Sequence, residues 1–525
     1  MRTRPPLPLL LAASLVAALA LLPVGYLLLR MAAAGPEAWA LLARPAVWSV
    51  FGNSALLAAV CTAGAVALGV PLAWLTARTD LPGRRFWSVA LVLPLAMPSY
   101  IGAYAWIALL GPRGMLGRLL APLGIGRLPE PYGLAGTALV ITLINYPFVL
   151  LAVRAAIRRL DPALEEAALG LGLSRRQIFW RVTLPQLRGP IAAGGLLAAF
   201  YALSDFGAPA LLRYKSFTRV IFIEYQSAFN RNTAALMALV LVGLTLAVLA
   251  AEAAVRGRSP LFRTGSGSRR PAAPIPLGRW KAPALVACAG VVTAALGLPI
   301  LVILYWNVVG WRNGQGLWLS PSAVGNSLLA GTLAAAAAVV AAAPVAYLAG
   351  RYRRRLAGWA DRSAYLGGAL PGIVVALALV FFSARHLPAG LYQSLPLLVL
   401  AYVIRFLPQA IGCLRTSLAQ IPPRLEEAAR GLGRGRLRTF AAVTLPLLKP
   451  GALAGAALVF LTTVKELPVT LLLSPTGFDT LVYAIWSTAS EGLFSQASPS
   501  ALLLLGLSAL SIAVILRQEE RGLYG

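Results

Sequence analysis

One polar stretch of this otherwise greasy chain occurs twice. Leu164 to Leu187, LEEAALGLGLSRRQIFWRVTLPQL, returns as Leu425 to Leu448, LEEAARGLGRGRLRTFAAVTLPLL. A shift of 261 residues lays Glu166 on Glu427, Ala167 and Ala168 on Ala428 and Ala429, Gly172 on Gly433, and Pro185 on Pro446. An internal repeat of this size fixes the architecture before any local reading, because each copy must sit at the same place in a duplicated unit.

Both copies have the same local design. Asp161-Pro162 starts a helix: Asp accepts from free N–H groups, and Pro is tolerated in the first turn. The alanines favour helix. Gly170 and Gly172 are expected to break it, since Gly reaches left-handed backbone angles cheaply. Ser174 and Gln177 have capping-box spacing, which opens a second short helix. Leu184-Pro185 is expected to close it. The second copy keeps Gly431 and Gly433 but has Gly435 where Ser174 stands, so its second helix starts without a side-chain cap.

The order Glu-Ala-Ala, three residues, Gly, nine residues, Ile or Val, one residue, Leu-Pro resembles the coupling loop of importer-type ATP-binding cassette permeases. The resemblance covers nearly the whole chain and is closest to the fused permeases of ferric iron and thiamine importers. It implies that Glu166, Ala167, Ala168, Gly172 and Pro185, with Glu427, Ala428, Ala429, Gly433 and Pro446, form two surfaces that dock ATPase subunits. It also implies two copies of that ATPase and an extracytoplasmic solute-binding protein.

The bulk composition demands a bilayer. Of 525 residues, 59% are hydrophobic and only 12% charged, about half the charged fraction of a soluble domain. A net charge of +29 would suggest nucleic acid on a soluble protein. Here the arginines cluster between apolar runs, which is the pattern of membrane orientation, and nucleic acid is not an expected partner. The three cysteines are far apart inside apolar runs, and His386 is the one histidine. No metal site and no catalytic constellation is expected.

A helix crossing the hydrocarbon needs about 20 residues. Such runs occur near 8–29, 50–77, 86–111, 132–157, 190–212 and 233–254, and again near 282–306, 323–350, 364–384, 391–416, 450–473 and 496–516. The expected fold is therefore all-α and integral to the membrane, with about twelve spans in two tandem parallel six-helix repeats. The first half is 1–255 with its loop at 158–189, and the second is 282–525 with its loop at 418–450. A linker at 256–281, rich in Gly, Ser, Pro and Arg, reads as a plain polar connector. Ala18-Leu19-Ala20 mimics a signal-peptidase site, but the apolar run continues past it and reads as a retained first span.

Earlier landmarks repeat with a different shift. Gly52-Asn53-Ser54 matches Gly325-Asn326-Ser327, the run Pro71 to Arg78 matches Pro344 to Arg351, and Pro98 matches Pro371, all 273 apart. Pro147 with Pro408 and Arg154 with Arg415 are 261 apart. The second half has thus lost twelve residues between its third and fourth spans. Pro98, Pro147, Pro371 and Pro408 are expected to kink their helices. The arginine-rich loops place the N-terminus, the C-terminus and both Glu-Ala-Ala loops in the cytoplasm by the positive-inside rule, as a multi-pass protein of a bacterial inner membrane.

No phosphate-binding Gly-x-x-x-x-Gly-Lys motif occurs, so this chain is not expected to be an enzyme or to hold a cofactor. ATP hydrolysis, if it drives this chain, is expected on a separate subunit. Ionisable groups inside spans are the other candidates, since they cost energy and face a bundle interior or water. Asp205 reads as mid-span in the fifth helix, with Glu466 as its counterpart beside Lys465 in the eleventh. These three line the expected translocation path, and Arg405 is the candidate partner. The resulting expectation is an importer permease for ferric iron, with thiamine as the alternative solute. An ion-coupled major-facilitator carrier and an integral-membrane enzyme are the alternatives of other classes. The first lacks the charged loop expected after its second span, and the second lacks clustered acids or histidines.

Overall fold

The computed structural model describes residues 5–112, 114–124, 129–227, 231–257, 274–315, 319–352 and 355–524. Twelve helical elements follow the expected order of spans. The first six are α1 (Leu7–Ala33), α2 (Pro45–Arg78), α3 (Ser99–Leu110), α4 (Leu134–Ile157), α5 (Leu184–Ser204) and α6 (Arg231–Gly257). Then come α7 (Gly278–Arg312), α8 (Pro321–Arg351), α9 (Gly372–His386), α10 (Leu395–Ala419), α11 (Leu445–Val464) and α12 (Phe494–Tyr524). Among the described residues nine helices are long and apolar enough to cross a bilayer, and two bent pairs bring the number to eleven. The helix α12 stands where the twelfth span is expected.

Two expected spans are broken rather than kinked. Arg84–Ala96 meets Ser99–Leu123 at 93°, and Gly358–Gly368 meets Gly372–His386 at 99°. Pro98 and Pro371 stand at those breaks in extended backbone, immediately before α3 and α9. Proline cannot donate to the preceding turn, and here the helix ends and restarts. Pro147 and Pro408 do lie inside helices, α4 and α10.

The chain forms two compact units that cut across the sequence halves. One comprises residues 44–223 and 243–313; the other comprises 1–43, 224–242 and 314–525. In the first unit α2, α4 and α5 pack on one another, and α7 lies against α3 and α4. In the second unit α8, α10 and α11 pack in the same way, and α1 lies against α8 and α9. The partition therefore departs from the boundaries at 255 and 282: each half's first span belongs to the unit built from the other half.

Small residues make these trios possible. Lipid tails are as apolar as leucine, so helices associate through close packing rather than burial from water. Gly194 of α5 lies so near the Val149 backbone of α4 that a Cβ would come within 2.8 Å of its Cα. In the other trio Ala330, Ala334, Ala338, Ala342 and Ala346 of α8 are all buried at four-residue spacing, one stripe of the helix.

The linker is more than a polar connector. Residues 258–273 lie outside the described residues, but its end is docked. Ile275 donates to Arg78 O at 2.8 Å, and Asp80 N–H donates to Ile275 O at 3.1 Å. Asp80 then accepts from Leu277 N–H at 2.8 Å and pairs with Lys281 Nζ at 2.9 Å. Those hydrogen bonds and that ammonium hold the Asp80 carboxyl below the usual carboxylate range.

Candidate functional site

Each Glu-Ala-Ala stretch folds as an elbow between two helices. The first arms are Pro162–Gly170 and Pro423–Gly431; the second arms begin at Arg175 and Arg436. Asp161 caps the first arm by accepting from Ala163 N–H at 3.0 Å. The turn itself is made by Gly172 (φ +79°) and Gly433 (φ +81°), while Gly170 and Gly431 stay helical. Leu173 N–H reaches Ala168 O and Gly172 N–H reaches Leu169 O, and Arg434 and Gly433 repeat both bonds on Ala429 and Arg430. This is the paired bonding of a Schellman turn, which needs a left-handed residue. Ser174 and Gln177 form the reciprocal box, whereas Gly435 offers no side-chain cap.

Leu-Pro does not close the second arm. A π-helical turn, Phe179–Thr183, carries the chain from Arg175 straight into α5, and Phe440–Thr444 does the same into α11. Proline lacks the N–H for the bond four residues back, and its ring collides with that carbonyl. A wide turn bonded five residues back accommodates both: Leu184 N–H bonds Phe179 O, and Leu445 N–H bonds Phe440 O. The same device recurs in α7, where Thr293–Gly297 precedes Leu298-Pro299.

The two neighbouring glutamates of each elbow differ in exposure, the second being the more open. Glu166 is exposed and Glu427 half-buried, and neither makes an ion pair among the described residues. Beside them Leu171 and Leu432 at the tips are 83% and 84% exposed. Ala167 and Ala428 are exposed, while Ala168 and Ala429 are buried. Pro185 is half-buried and Pro446 exposed. Each elbow thus carries a second glutamate beside a bare leucine.

Glu165 and Glu426, one residue earlier, anchor the elbow. Glu165 pairs with Arg78 at the end of α2 and accepts from Thr183 Oγ1 at 3.0 Å. Glu426 pairs with Arg351 at the end of α8 at 3.1 Å and accepts from Thr444 Oγ1 at 3.0 Å and Tyr347 Oη at 3.1 Å. Aromatic rings reinforce both joints: Trp74 on Phe179 (centroids 4.9 Å apart) and Tyr347 on Phe440 (5.5 Å). Sequence reasoning passed over these residues. The signal was available, since Trp74 with Tyr347 and Arg78 with Arg351 lie in the run repeated at a shift of 273, and the other pairs obey the 261 shift.

The intramembrane group is not as expected. The helix α5 ends at Ser204 and α11 at Val464, with short helices Gly207–Leu211 and Pro468–Leu473 beyond. Asp205, Lys465 and Glu466 therefore sit in helix breaks, not mid-helix. Asp205 caps the following helix, accepting from Ala208 N–H at 3.0 Å. Glu466 is buried and pairs with Arg405 Nε at 3.0 Å, and Arg405 also donates to Leu370 O at 2.8 Å. Arg405 thereby joins the break before α9 to the break after α11. Lys465 is half-buried with no ion pair among the described residues. The 261 shift places Ile144, not an arginine, opposite Arg405.

A duplicated elbow on a duplicated helical trio has a counterpart among known proteins. The model of the family described as binding-protein-dependent transport system inner membrane component matches residues 66–258 and again 342–519. The chain belongs to that family. It is a transport permease of the membrane, duplicated within one polypeptide. Both matches begin after the exchanged first spans α1 and α7.

Among its relatives is the Fe(3+)-transport system permease protein FbpB 2 of Haemophilus influenzae. It is 35% identical over 519 residues, 98% of this chain and 99% of that one. A probable ABC transporter permease of Sinorhizobium fredii, y4fN, is 27% identical over 84% of this chain and 82% of its own. A probable molybdenum ABC transporter permease of Haloferax volcanii is 34% identical over 199 residues, 38% of this chain and 71% of its own.

Proposed function

We propose that this permease is the membrane subunit of an ATP-driven importer of ferric iron. The observation that carries the ATP-driven part is the paired elbow. Two copies of one turn, each anchored from behind by a glutamate in an ion pair, present Glu166 with Leu171 and Glu427 with Leu432 to a partner. Two matched surfaces suit two copies of an ATPase. The basic loops favour a cytoplasmic position for the elbows and both termini. Ferric iron is supported by the full-length likeness to the H. influenzae permease; the molybdenum relative covers 38% of this chain.

Iron would be passed along a path rather than held by the chain, and Lys465 and Asp205 at the helix breaks are the residues we assign to it. Glu466 and Arg405, tied to each other, hold its wall. The test is copurification from membranes with the ATPase and radiolabelled ferric uptake. Glu166→Lys with Glu427→Lys is expected to release the ATPase and abolish uptake, with the permease still inserted. Unchanged assembly and uptake would refute the docking assignment.

A further inference from the structure

The anchors behind the elbows have a chemistry that mere attachment does not require. Arg78 and Glu165 have side chains 11% and 15% exposed, and Arg351 and Glu426 11% and 6%. Burying an ion pair costs desolvation, and a well-packed apolar pair would hold the same joint at equal or greater stability. An apolar contact is non-directional and tolerates sliding. A charge-assisted hydrogen bond has a fixed length and direction. An elbow tied by one cannot shift without taking its arginine along.

Both carboxylates are joined to three places at once. Each grips the end of α2 or α8 through Arg78 or Arg351, rides on the elbow's first arm, and accepts from Thr183 or Thr444 in the π turn. The joint recurs in two copies whose surroundings differ, with Trp74 in one and Tyr347 in the other. Arg78 reaches further still: its carbonyl takes the Ile275 N–H, and the next residues, Thr79 and Asp80, grip the start of α7 through Ile275, Leu277 and Lys281. The Arg351 guanidinium turns back to Ile421 O at 3.0 Å.

We propose that Arg78 and Arg351 are positioning residues that convert displacement of each elbow into displacement of the ends of α2 and α8, with the first elbow also geared to α7. This rests on the reading that an ATPase pulls on the elbows.

The test uses the full complex in vesicles, with the three cysteines replaced by alanine and spin labels at Ala163→Cys on the elbow and Arg84→Cys beyond α2. In the parent complex one narrow distance is expected with and without ATP. Glu165→Gln, which keeps shape and removes charge, is expected to keep the ATPase bound but to broaden that distance at least twofold when ATP is added. An unchanged narrow distance in Glu165→Gln overturns the proposal. So does loss of the ATPase from that variant, which would make Glu165 part of the docking surface. Should Glu165→Gln fail to insert, Arg78→Lys is measured instead: it keeps the charge and loses the fork. The same broadening is expected there, and its absence is equally fatal. A parent complex that retains no ATPase defeats the proposed function itself, and is read from copurification before any label is attached.

Discussion

Gly172 and Gly433 show what a single residue settles here. Each has φ near +80°, and a Cβ at either would meet nothing within 4 Å. Substitution therefore costs only backbone strain, about 1–2 kcal/mol for an L-residue in that region. Gly170 lies two residues away, is helical and equally open. Hydrogen exchange should separate them: Gly172→Ala speeds exchange of the Leu173 amide about fivefold or more, while Gly170→Ala slows exchange in the first arm. The turn and the Ser174–Gln177 box were legible because they are made by residues within five positions of one another. The inward glutamate was not. Glu165 and Glu166 are adjacent and chemically alike, and only the arrival of Arg78, 87 residues upstream, decides which of them turns in.

At the scale of elements, helix breaks hold the functional interest. The hydropathy of spans such as 190–212 and 450–473 was legible, but not their interruption, because an apolar run reads the same whether or not its backbone is continuous. Leu-Pro misled in the opposite direction. It resembles a stop, yet in all three places the preceding π turn lets the helix run on. The breaks differ in how their polar groups are met, and so should their sensitivity. Glu466→Ala would leave the half-buried Arg405 without its carboxylate, a loss of at most about 3–5 kcal/mol. Asp205→Ala removes a cap, about 1 kcal/mol. Thermal unfolding in detergent should show the first variant melting well below the second, and near-equal melting would refute the assignment of Glu466 to a structural pair.

For the whole molecule, two repeats of six spans were legible from the 261 and 273 shifts, as was the loss of twelve residues between the third and fourth spans of the second. The exchange of first spans was not, since no periodicity within α1 or α7 says which trio it joins. Domains fold as units, and here neither unit is contiguous in the chain. A fragment ending at residue 257 should be cleaved quickly by protease in membranes, and supplying residues 274–313 as a second fragment should protect it; equal protection without that supplement would contradict the exchange. Synthesis must live with the same fact. When the ribosome has finished the sixth span, the earlier trio still has an open flank facing lipid, and it stays open until the seventh arrives. The nascent protein therefore passes through a half-walled stage, and the Asp80 contacts to Ile275, Leu277 and Lys281 form only once the start of α7 has been made.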